Sequence, residues 1–63
     1  MGKYKIWFIS PSLKTETSEV YDNLTDSSAR KLFTDLKKKH KKTSILLIMG
    51  KFRDGSYYGF LRN

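Results

Sequence analysis

A chain of 63 residues, 38% of them hydrophobic and 14% aromatic, has the material for one small folded domain, 1–63, and is too apolar for a disordered segment. It has no cysteine and a single histidine, His40, which excludes disulfides and leaves no ligand set for a structural zinc site. Its net charge of +7 points to an acidic partner: nucleic acid, an acidic protein surface or anionic lipid.

A domain of this size buries only about 60% of the surface its unfolded chain exposes. With disulfides and metal set aside, association with a second copy is the remaining way to add buried area. The start of the chain, MGKYKIWFIS, has no long apolar stretch followed by small residues, so it is not a secretory signal. No segment approaches the roughly 20 apolar residues needed to span a bilayer. The expectation is a cytoplasmic protein without membrane contact, cofactor or metal.

Lys3 to Ser10, KYKIWFIS, is rich in β-branched and aromatic residues and is predicted as a strand. Pro11 ends it, because proline cannot donate to a β-ladder. Ser18 to Asn23, SEVYDN, is a weaker strand candidate. If it forms, Pro11 to Thr17 is a broad turn and the two strands make an antiparallel hairpin. LTDSSARKLFTDLKKKHKK is the clearest helix. Thr25 can cap it by accepting a free first-turn N–H, Asp26 suits the positive end of the dipole, and Leu24 and Ala29 occupy staple positions. Ala29, Leu32, Phe33, Leu36 and His40 recur at helical spacing as one buried stripe. The helix is expected to end near Lys41 or Lys42. TSILLIMGKFR is then a strand, Asp54-Gly55 a tight turn and SYYGFLR the return strand. The predicted fold class is α+β: a small antiparallel sheet, β-β-α-β-β or β-α-β-β, with one amphipathic helix packed on one face.

That architecture leaves apolar side chains on both sides of the sheet. Successive strand residues face opposite ways, so Tyr4, Ile6 and Phe8 oppose Trp7 and Ile9, while Ile45, Leu47 and Met49 oppose Leu46 and Ile48. One helix covers one side. Trp7, Ile9, Leu46 and Ile48 are therefore predicted to form an uncovered patch that binds a partner, most simply a second copy in a homodimer.

Charge gives the second functional signal. Lys37, Lys38, Lys39, Lys41 and Lys42 crowd around His40, and from Arg30 to Lys42 seven basic residues face Asp35 alone. On a helical wheel Arg30, Lys37 and Lys41 form one row, and Lys31, Lys38 and Lys42 the next. Lysine stabilises the negative end of a helix dipole, but that effect fades within a turn, and five lysines exceed what capping needs. Lacking the bidentate fork of arginine, such a surface suits phosphates better than base edges. Lys51, Arg53 and Tyr57 of the C-terminal hairpin are auxiliary candidates, because aromatic and basic residues interleaved on a sheet can stack on single-stranded bases. No Cys nucleophile is present, and His40 is the only histidine, so no enzyme activity is expected. The leading expectation is a non-enzymatic basic module that contacts nucleic acid through phosphates, with Lys37, Lys38, Lys41 and Lys42 as primary contacts. The alternative is a protein-binding adaptor or inhibitor, of the short kind that phages direct at host proteins, acting through the open sheet face or an edge strand.

Overall fold

The computed structural model describes residues 2–63. Strands β1 (Gly2–Ser10) and β2 (Thr15–Leu24) precede helix α1 (Asp26–Lys39), and β3 (Leu46–Arg53) and β4 (Ser56–Arg62) follow it. All neighbouring strands are antiparallel, in the order β2-β1-β3-β4. The fold is α+β with the β-β-α-β-β order, so the weaker second strand is present. β2 and β3 both run against β1 and hence parallel to each other. A tight turn cannot join parallel strands, so the chain must cross a face of the sheet between them, and α1 makes that crossing.

The core lies between α1 and one side of the two central strands. Tyr4 and Ile6 of β1 and Leu47 and Met49 of β3 are fully buried against Ala29 and Phe33 of α1. Leu32 and Leu36 flank them on the helix, Phe8 on the sheet and Ile45 just ahead of β3. His40 closes the stripe, its ring 5.9 Å from that of Phe8. The helix begins as its sequence predicts. Thr25 Oγ1 accepts from the Ser28 N–H at 3.1 Å, and Leu24 and Ala29 both join the core.

Three boundaries differ from expectation by more than one residue. β2 starts at Thr15, not Ser18, because Ser10 pairs directly with Thr15 and the turn needs only Pro11 to Lys14, with Lys14 at φ 54°. The strand is polar because it lies at the sheet edge, exposed along most of its length, which hid its first three residues. The helix stops at Lys39. His40 N–H still reaches the Leu36 carbonyl at 3.0 Å, but Lys41 N–H turns to Lys38 at 3.3 Å. Thr43 binds the His40 carbonyl through both its N–H, at 3.1 Å, and its hydroxyl, at 2.7 Å. That tightened turn takes Lys41 and Lys42 off the helix, so they do not extend the two helical rows of cations. β3 begins at Leu46, not Thr43, because Leu46 is the first residue that pairs with β1. The Asp54-Gly55 turn has the expected positive φ angles, 49° and 85°. Among the described residues, no helix is long and apolar enough to cross a membrane.

Candidate functional site

The side of the sheet away from α1 carries the candidate site. Register fixes its membership, since residues paired across antiparallel strands share a face. Lys5 lies between Val20 and Gly50, Trp7 between Ser18 and Ile48, and Ile9 between Glu16 and Leu46. On β4, Gly59 pairs with Gly50 and Tyr57 with Phe52. The predicted patch Trp7, Ile9, Leu46 and Ile48 is thus contiguous, and all four side chains are half-buried. Phe52 and Val20 extend it and are 38% and 52% exposed.

Three aromatic rings form the centre of this face. Trp7 meets Tyr57 edge-on at 5.8 Å, and Tyr57 meets Phe52 at 5.2 Å. Gly50 makes the arrangement possible: a Cβ there would lie 2.9 Å from Trp7 Cζ3 and 3.3 Å from Tyr57 Cβ, so the indole rests on bare backbone. Two cations stand over the rings. Lys5 Nζ is 5.2 Å from the Trp7 ring and 5.5 Å from the Tyr57 ring, and Lys3 Nζ is 5.2 Å from Phe52. Lys3 also faces Asp22 of the edge strand at 4.0 Å.

The other predicted contacts are not gathered here. Lys37 and Lys38 lie on the last turn of α1, on the opposite layer. Lys41 and Lys42 occupy the turn that carries the chain from the helix back to the sheet. None of these four is within 4.0 Å of a carboxylate among the described residues. Lys51 faces the helix side at the far end of α1. Its Nζ donates to Asp26 Oδ1 at 2.8 Å, and the Tyr4 hydroxyl donates to the same oxygen. The hydrogen bond from Lys51, followed by that from Tyr4, holds the Asp26 carboxyl below its usual pKa. The same bond to Asp26 raises Lys51, while burial first and Asp26 second raise Tyr4. Arg53 lies at the hairpin tip and faces Asp54 at 3.7 Å. The helix-end lysines and the Lys51–Arg53 pair thus sit at opposite ends of the molecule. Tyr57 belongs with Trp7 and not with Lys51.

Sequence reasoning missed Lys3, Lys5, Gly50 and Phe52 as members of the face. Lys3 and Lys5 alternate in phase with Trp7 and Ile9, and that period-2 pattern was the available signal. Comparisons with protein-family models, curated proteins and solved structures find no match to this chain.

Proposed function

We propose that the protein is a non-enzymatic module that holds single-stranded nucleic acid on the open face of its sheet, phosphates against lysines and bases against rings. The observation that carries this reading is Lys5, whose ammonium stands over both Trp7 and Tyr57 on the face that, among the described residues, lies away from the helix. Rings of this kind stack on bases irrespective of sequence, each stacked base contributing about 1–3 kcal/mol. Lys41 and Lys42, on the turn between the helix and the sheet end at Leu46, are further phosphate contacts in this reading. Lys37 and Lys38 add to the attraction at longer range, and the net charge of +7 raises encounter rates.

The test is fluorescence anisotropy with labelled oligonucleotides of about 12 residues, a length that spans one such site. Binding is expected to weaken steeply between about 50 mM and about 200 mM salt. The double substitution Lys41→Glu, Lys42→Glu should flatten that salt dependence, and Tyr57→Ala should weaken binding at every salt concentration. Absence of binding at the lower salt, or binding indifferent to Tyr57→Ala, would overturn the proposal.

The rival reading is a protein partner or a second copy on the same face. It draws support from Glu16 and Lys5, which place opposite charges on one side of the sheet. A light-scattering mass of two chains at micromolar concentration, reduced to one by Trp7→Ala, would favour a homodimer.

A further inference from the structure

Beside Trp7 the open face holds a shallow hollow of about 350 Å³, lined by Trp7, Ile48, Gly50, Tyr57, Gly59 and Glu16 among others. Such a volume is at the lower end of the about 300–1,000 Å³ of small-ligand clefts. Its shape follows from two paired glycines with different neighbours. Gly50 is capped by the Trp7 indole, whereas a Cβ on Gly59 would meet nothing within 4 Å. The strip over Gly59 is therefore open, with Trp7 and Tyr57 as its wall.

The lining also sorts ligands by charge. It contains no cation and one carboxylate, Glu16, while Lys5 stands above the rings and Arg62 lies opposite Ile48 on the edge strand. By this distribution of charge the hollow suits a flat, uncharged ring and its rim a phosphate. We infer that this hollow is a slot for one base of a single strand, with Glu16 accepting a hydrogen bond from an exocyclic amino group at the base edge. The inference rests on the nucleic-acid reading above and adds a preference to it: carboxylates accept from the N4 amino group of cytosine, and uracil presents a carbonyl there instead.

Oligo-dC and oligo-dU differ at that edge and serve as probes. The unmodified protein should bind oligo-dC more tightly, and Glu16→Gln should narrow the difference. Gly59→Val places an isopropyl group in the slot, in the path of a bound base. It should lower affinity for oligo-dC by about 5- to 150-fold, the loss of one stacked base. It should leave the melting temperature unchanged, because the added side chain enters open space on a strand that favours β-branched residues. Equal affinity of the unmodified protein for the two strands would overturn the role of Glu16. Unaltered oligo-dC binding by Gly59→Val would overturn the slot and leave the wider nucleic-acid reading intact. Failure of the unmodified protein to bind either strand at about 50 mM salt would overturn that reading itself. A two-chain mass that reverts to one chain in Gly59→Val would assign the hollow to a second copy and overturn the slot.

Discussion

At the scale of single residues, Gly50 governs the open face. It lets the only tryptophan of the chain lie on the backbone of β3, with Tyr57 beside it. Gly50→Ala places a methyl group 2.9 Å from the indole and 3.3 Å from Tyr57 Cβ. The indole end can tilt away, but the Tyr57 Cβ is fixed to its strand. The expected cost is about 1–3 kcal/mol, as for other overpacked sites. Urea unfolding should report that loss, and the emission of Trp7 should shift to the red as its ring lifts into water. An unchanged midpoint and spectrum would show that the indole does not rest on Gly50. Nothing in the sequence marked this glycine, because Trp7 lies far from it along the chain. The rest of the patch was legible: Trp7, Ile9, Leu46 and Ile48 follow from alternation alone. Tyr57 was not, since its place on the face depends on register across two strand pairings, the second of which slips between Met49 and Gly50.

At the scale of elements, Asp26 is the joint between α1 and the sheet. From the sequence it is a first-turn acid favoured by the helix dipole, and Lys51 is one cation among several in the hairpin. The structure joins the two at 2.8 Å and adds the buried Tyr4, so that one carboxylate ties α1 to β1 and β3. No local pattern connects residues this far apart in the chain. The carboxyl is held below its usual value of 3.8. A lowered folded-state pKa contributes stability that is present above the unfolded value and is lost as pH falls through the folded one. The urea midpoint should therefore drop as pH falls below about 4, and Asp26→Asn should show a smaller drop over the same range. Identical pH profiles for the two proteins would remove Asp26 from the joint. Element types proved more legible than their ends. Helix and strand periods are written in apolar spacing, whereas the stop at Lys39 depends on Thr43 competing for the His40 carbonyl.

At the scale of the whole molecule, the fold is two hairpins joined by a helix. β1 pairs with β2 and β3 with β4 across turns of a few residues, so both of those ladders close locally. The ladder between β1 and β3 is different. It brings Tyr4 to Lys51 and Ile9 to Leu46, and it is the one sheet seam that joins the two halves. Closing a long loop costs more chain entropy than closing a short one, so this seam is expected to form after the two hairpins. The order of opening follows from position as well. β1 and β3 are each bonded on both sides, while β2 and β4 each have one free edge. Native-state hydrogen exchange should therefore show the slowest amides in Ile6, Phe8, Leu47 and Met49, and faster exchange along β2 and β4. Uniform protection across all four strands would contradict this hierarchy. On this hierarchy the open face has a rigid centre and yielding margins: Trp7 and Ile48 lie on the strands expected to open last, and Tyr57, Gly59 and Glu16 on those expected to open first. A ligand that bridges them would slow the exchange of β2 and β4 most, leaving its clearest trace at the edges and not at the middle of the sheet.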